Sequence, residues 1–348
     1  RCIANSKRMF KNMIICPGRI IGFFHSETME EAVMDMTGKK KTARHAELVK
    51  QVKKNIPFYL FLAPALILVI IFCYFPMWGI VIAFKDYKMA RGILGSEWVG
   101  LFHFKKIFSD PNFYRVLGNT IKISVLTLVT SFPVTIVFAL LVNEIMNMKF
   151  KRVVQTITYM PHFLSWVVVG AFVYQMLSPS SGIVNAVLIR LGILDKPVFF
   201  MVQQNMFVPI YLLTNLWKST GYSIVIYLAT ISGIDPQLYD SAAIDGANRL
   251  HKVLYITLPA LFPTMCTLLI LNVGSLISVG FDPIFNLYND ATYPVADVIS
   301  TYVYRKGMVD SQYDLSTAVG LFQNVISLVL VLGANWFARK ANPDYRII

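Results

Sequence analysis

The sequence predicts an all-α membrane protein of six transmembrane helices, with one further short helix in the loop between the fourth and fifth. Three observations carry this. Of the 348 residues, 56% are hydrophobic and only 15% are charged, whereas soluble domains carry about 25% charged residues. Six windows, at about 56–84, 119–143, 153–178, 207–231, 261–281 and 315–337, are apolar over lengths that suit a hydrocarbon core of about 30 Å, which takes roughly 20 helical residues. Between the fourth and fifth stands a polar, patterned stretch, 235–259, that neither span requires.

Residues 1–55 form a basic tail: twelve of the 32 Lys and Arg lie before residue 55, with a run at Lys39, Lys40 and Lys41. Met9 to Phe24 reads either as a segment lying on the membrane surface or as a solvated tail. The net charge of +13 would suggest nucleic acid in a soluble chain. Here the cations flank apolar spans, where they set topology and face anionic lipid, so no nucleic-acid partner is expected.

Span one is free of charge and holds Pro57, Pro64 and Pro76, which lipid tolerates when neighbouring groups satisfy the freed carbonyls. The loop 85–118 is too polar to insert, and its Trp98, Phe102, Phe104 and Phe108 suit a short amphipathic piece. Lys122 stands at the outer end of span two, close enough to the headgroups for its stem to snorkel. Lys149, Lys151 and Arg152 precede span three, whose lone His162 beside Pro161 reads as a packing group. Span four is interrupted at its centre by Trp217-Lys218-Ser219-Thr220-Gly221-Tyr222. Arg339 and Lys340 close span six. Six spans place both termini on one side; the Lys and Arg divide 20 to 10 in favour of the side that holds the termini and the patterned loop, which predicts that side as cytoplasmic. The first outer loop, with six, is more basic than that rule prefers.

Cys2, Cys16, Cys73 and Cys266 show no metal-ligand spacing, and no metal site is expected. No G-x-x-x-x-G-K-[ST] occurs, so any nucleotide must be bound by another chain.

The patterned stretch starts with Asp235-Pro236, a carboxylate at the N-cap and a proline at the first helical position, where its missing N–H is harmless. Gly246 is a natural stop because it enters the left-handed region without strain. Between them Leu238, Tyr239, Ala242 and Ala243 recur at helical spacing. An acidic-small-Ala triplet, three residues, Gly, nine residues and Ile-x-Leu-Pro fall on Asp240, Ser241, Ala242, Gly246, Ile256, Leu258 and Pro259.

This pattern resembles the EAA signature of permease subunits in type I ABC importers, with Asp for Glu and Ser for the first Ala. Tyr239, Ile244-Asp245-Gly246-Ala247 and the Asn119-Thr120 opening of span two look like the carbohydrate-uptake branch. More narrowly they resemble permeases that import oligosaccharides cut from polysaccharides, alginate importers among them. The resemblance, running from about residue 56 to the end, implies a non-catalytic subunit of the bacterial cytoplasmic (inner) membrane that works by alternating access. It implies four kinds of partner: a second homologous permease in a heterodimer, two ABC ATPase subunits, an extracytoplasmic solute-binding protein and an oligosaccharide. It implies no cofactor on this chain, ATP and Mg being held by the ATPases. The loop, Ala243 included, would be the coupling helix that sits in a cleft of the ATPase.

An ABC permease for a non-sugar solute is the alternative. A secondary transporter would need carboxylates well inside its spans, and the nearest, Asp282, lies at an outer edge. A membrane-anchored sensor or enzyme would need a sizeable soluble domain, and no loop is longer than the tail.

A sugar crossing a bilayer needs replacements for hydrogen bonds worth several kcal/mol each. Span five offers Asn272, Ser275 and Ser278 at helical spacing, with Asp282 a turn further out; contacts with the second permease are the other use for such groups. Span four adds Trp217, Lys218 and Tyr222: rings suited to the apolar faces of sugars, and a cation that would be the counter-ion of an acidic one.

Overall fold

The computed structural model describes residues 54–341. The basic tail through residue 53, with its expected surface segment at Met9 to Phe24, lies outside the described residues, as do residues 342–348. The chain divides into two units, one ending at Met77 and the other beginning at Trp78.

In the first unit, helix Ile56–Val69 carries Pro57 in its first turn and Pro64 inside it. It widens to a π-turn at Ile70–Tyr74 before Phe75–Met77. That widening falls just before Pro76, which lacks the N–H that an unbroken helix would use.

The second unit opens with a tight 3₁₀ stretch, Trp78–Phe84, packed along the last helix, Tyr313–Ala341. A two-residue ribbon follows, Lys85–Asp86 antiparallel to Glu97–Trp98, with Lys85 opposite Trp98. Of the aromatic residues expected in an amphipathic piece, Phe102, Phe104 and Phe108 lie on the helix Phe102–Phe108, which buries His103 and Ile107, whereas Trp98 belongs to the ribbon before it. Phe84 stacks on Trp98 at 5.7 Å and meets Phe104 at 5.6 Å.

Helix Pro111–Asn143 begins well before the expected 119, because Asp110-Pro111 is the same start signal as Asp235-Pro236. The Asp110 carboxylate accepts the N–H of Asn112 at 2.9 Å, with Pro111 in the first turn. Span three, expected as one helix over 153–178, is broken. Met148–Tyr159 runs into a 3₁₀ turn, Met160–Phe163, and a separate helix, Trp166–Met176, leaves it at 101°. Pro161 withholds a donor and ends the ladder, while the Ser165 hydroxyl accepts the N–H of Val168 and starts the next helix. The following connection holds another short helix, Ile183–Arg190.

Gln204–Ser232 is one helix of 29 residues. The fifth span runs Arg249–Gly274 and stops short of the expected 281; the chain turns through 275–280, and Gly274 packs so closely on Val331 that a side chain there would clash. Among the described residues four helices, Ile56–Phe84, Pro111–Asn143, Arg249–Gly274 and Tyr313–Lys340, are long and apolar enough to cross a membrane, or five if the bent pair is one span. The six spans expected from sequence thus become four or five by that standard. Gln204–Ser232 has the length but not the apolarity, since its middle carries Asn215, Lys218, Ser219 and Thr220.

At the end of the bundle opposite the 235–259 loop, the segment between the last two long helices is fastened by Asn119 and Thr120. The Asn119 amide donates to the carbonyls of Pro294 (2.9 Å) and Asp297 (3.1 Å), and Thr120 Oγ1 accepts the N–H of Ile299 (3.0 Å). The carboxylate of Asp297, fully buried, receives Thr301 Oγ1 at 2.8 Å and both guanidinium nitrogens of Arg305 at 2.8 and 3.2 Å. Burial pushes its carboxyl up to about 6, against the pull of Thr301 and Arg115 in the other direction. It is therefore still mostly ionised at neutral pH, and the two-pronged pair with Arg305 holds.

Candidate functional site

Three helices of the second unit each turn a row of hydroxyls and amides towards one space. On Pro111–Asn143 these are Ser124, Thr127, Ser131 and Thr135, three or four residues apart and so on one face. Gln204–Ser232 contributes Tyr211, Asn215, Ser219, Tyr222 and Ser223; the end of the fifth span contributes Asn272, and the turn that follows it Ser275 and Ser278. Together they line a cavity of about 530 Å³, within the range of about 300–1,000 Å³ usual for small-molecule pockets. Among the described residues no Asp, Glu, Lys, Arg or His lies in its wall.

The hydrogen-bond pattern leaves this wall receptive. Thr127 and Ser219 donate to carbonyls one turn back, at 2.7 and 2.6 Å, which keeps their acceptor lone pairs free of those bonds. The Asn215 amide reaches Ser131 Oγ across the helices at 3.4 Å. Ser124 Oγ is buried with no hydrogen-bond partner among the described residues. Buried hydroxyls without partners are unfavourable unless something supplies one, and a ligand rich in hydroxyls would. The arrangement can bind and pass such a molecule.

Of the path residues expected from sequence, the structure brings together Tyr222, Asn272, Ser275 and Ser278 on this cavity. It places three elsewhere. Trp217 is half exposed and stacks on Phe172 at 6.0 Å. Asp282 sits in the first turn of the short helix Phe281–Phe285, beyond the end of the fifth span, so the helical register that linked it to Asn272 does not hold. Lys218 is only 7% exposed, and its ammonium donates to the carbonyls of His162 (2.7 Å), Leu164 (2.7 Å) and Pro161 (3.3 Å). Its charge is spent inside the fold and not offered to the cavity. Sequence reading missed Ser124, Thr127, Ser131, Thr135, Asn215, Ser219 and Ser223, although a hydroxyl every three or four residues in an otherwise apolar helix was there to be read.

At the other end of the same helices, Pro236–Ile244 is built as its sequence dictates. Asp235 Oδ1 accepts the N–H of Gln237 at 3.0 Å and Pro236 takes the first helical position. Gly246 stands at φ +77°. Ala247 N–H bonds the carbonyl of Ala242 (2.8 Å) and Gly246 N–H that of Ala243 (3.1 Å), the paired bonds of a Schellman stop. Tyr239 ties the helix to the base of the fifth span through a 2.9 Å hydrogen bond with Thr257 Oγ1. None of its residues is buried; Leu238 is 51% and Ile244 88% exposed. Asp240, Ser241 and Ala243 are exposed as well, and Ala242, Gly246 and Ile256 border a hollow of about 330 Å³. Leu258 and Pro259 begin the helix that runs to Gly274.

Residues 131–347 match the family model described as binding-protein-dependent transport system inner membrane component. The chain is 42% identical over 305 residues to the polygalacturonan/rhamnogalacturonan transport system permease protein YteP of Bacillus subtilis (strain 168), covering 88% of this chain and 94% of the relative. In structure it resembles a chain from the crystal structure of a bacterial ABC transporter involved in the import of the acidic polysaccharide alginate. The TM-score is 0.78 at 41% identity, over 85% of this chain and 99% of that one. A second alginate ABC transporter structure, in complex with alginate pentasaccharide-bound periplasmic protein, gives a TM-score of 0.77 at 42% identity, over 84% and 97% of the two chains.

Proposed function

The chain belongs to the family of binding-protein-dependent transport system inner membrane components, and from that premise we propose how its cavity and its loop divide the work of transport. It is a multi-pass inner-membrane permease of an oligosaccharide ABC importer, a transport component and not a catalyst. The hydroxyl-lined cavity is this chain's half of the translocation path, completed by a second, homologous permease in a heterodimer. Gln204–Ser232 and the broken third span count among six spans, with the termini and the 235–259 loop in the cytoplasm. The exposed helix Pro236–Ile244 docks one of two ATPase subunits, which hold ATP and Mg, and a solute-binding protein delivers the sugar on the opposite side.

The observation that carries this reading is the wall itself: three helices converge hydroxyls and amides on one space, with no charged side chain among the described residues that line it. Such a wall exchanges hydrogen bonds with sugar hydroxyls and asks for no counter-ion. The names of the relatives point to an oligosaccharide derived from an acidic polysaccharide, alginate or a pectin-like chain. The test is the ATPase activity of the purified importer in vesicles, with its binding protein loaded from a panel of solutes. Acidic oligosaccharides are expected to stimulate it, and Asn272→Leu to lower uptake about tenfold, the effect of losing one hydrogen bond of about 1.4 kcal/mol. Stimulation by a non-sugar solute alone would replace the carbohydrate reading while leaving the importer assignment in place.

A further inference from the structure

The break in span three leaves backbone carbonyls with no helical partner at a depth where, on the reading above, no bulk water reaches them. Irregular backbone at such a depth persists only where protein groups or a water-filled cavity satisfy it. His162 and Leu164 point two such carbonyls at one atom, Lys218 Nζ, and the Pro161 carbonyl, which also accepts the N–H of Leu164 at 3.2 Å, gives it a third. An ammonium has three donors and no acceptor, which matches three carbonyls about one nitrogen, and a cation at the end of a helical turn is favoured by the dipole. The ammonium also lies 5.4 Å from the Trp166 ring centre, in the first turn after the break. Lys218 thus touches both sides of the 101° bend.

The same turn carries His162, whose ring lies flat on Tyr222 with centroids 4.0 Å apart and planes 5° from parallel. Tyr222 stands one turn beyond Lys218 on the same helix, is 49% exposed, and lines the cavity. A chain of contacts therefore runs from Lys218 through the backbone of 161–164 to the His162 ring, then to the Tyr222 ring and the cavity wall.

We propose that Lys218 is a positioning residue: it caps the broken third span and thereby holds His162 behind Tyr222, fixing that ring as the aromatic platform of the sugar path. Its positive charge serves the backbone and does not read the charge of the substrate. This rests on the cavity being the sugar path, and the experiment separates the two claims.

The measurement is equilibrium binding of labelled oligosaccharide to the full importer trapped with vanadate, for one acidic and one neutral oligosaccharide. Tyr222→Ala and Asn272→Leu report on the cavity itself; if neither weakens binding, the path reading falls. His162→Ala removes the backing ring and leaves the carbonyls in place, so it is expected to weaken binding about fivefold. Combined with Tyr222→Ala it should add little, since both remove one platform. Cavity variants that weaken binding beside a neutral His162→Ala, or two effects that multiply, would overturn the platform. Lys218→Met is expected to weaken acidic and neutral ligands alike and to add little to Tyr222→Ala. Where it does not assemble, Lys218→Gln, which keeps an amide donor pair, carries the same comparison. A loss confined to the acidic ligand would make Lys218 a reader of substrate charge and refute the proposal.

Discussion

Replacing Gly221 by alanine is expected to cost the importer its assembly. Gly221 lies on Gln204–Ser232 where Met148–Tyr159 crosses it, and a methyl group built there lands on the backbone carbonyl of Thr158. The obstacle is main chain, so no side chain can rotate away. Overpacking of this kind costs about 1–3 kcal/mol, and the upper end applies when the neighbour cannot give. Any separation of the two helices also draws Pro161, His162 and Leu164 away from Lys218, three residues earlier, which removes ligands from a buried cation. The yield of intact complex and its melting temperature in detergent measure this. Gly320→Ala is the control: nothing lies within 4 Å of the added carbon, and a helical Gly→Ala gains about 0.5–1 kcal/mol. Equal yields from the two variants would show that the close crossing is not required.

Gly246→Val is expected to leave the spans folded and abolish ATP-driven uptake. There is open space around Gly246, so sterics with neighbours are not the issue. The obstacle is φ at +77°, a region that a β-branched residue resists by about 1–2 kcal/mol or more. Without it the paired bonds from Gly246 and Ala247 are lost and the helix Pro236–Ile244 no longer leads into Arg249–Lys252 at its present angle. Asn, which tolerates the left-handed region, should retain much of the activity, Ala less and Val least. Uptake together with co-purification of the ATPase checks the order. Full transport by the valine variant would count against this loop as the lever.

The parts of the molecule governed by local rules were legible in the sequence. Asp235, Pro236 and Gly246 name a cap, a start and a stop that depend only on neighbours a few residues away, and each occupies the expected place. Asp110-Pro111 carries the same message, but it lies nine residues before the apolar window that opens at Asn119, so hydropathy alone does not join it to the span. Pro161 was visible, but spans often contain proline, and nothing local said that Ser165 would cap a second helix at a steep angle. Lys218 was recognised as too costly to leave unpaired. Its partners, however, are carbonyls 54 to 57 residues away in sequence, and backbone acceptors carry no residue identity by which to find them. The cavity wall was half legible for a related reason. Ser and Thr in apolar helices commonly bond their own preceding turn, so the row from Ser124 to Thr135 blended with ordinary helix interior until the fold set it opposite Asn215 and Asn272.

The central claim, that an oligosaccharide passes along the wall formed by these rows, is tested most directly by photo-crosslinking in the assembled importer. A photoreactive side chain is placed at Ser131, in the wall, or at Leu328, exposed on the last helix and absent from the wall. Labelled oligosaccharide is expected to attach at 131 and not at 328, and only while loaded binding protein and ATP are both present. Labelling at 328 to the same extent, or none at 131 during active uptake, would contradict the account.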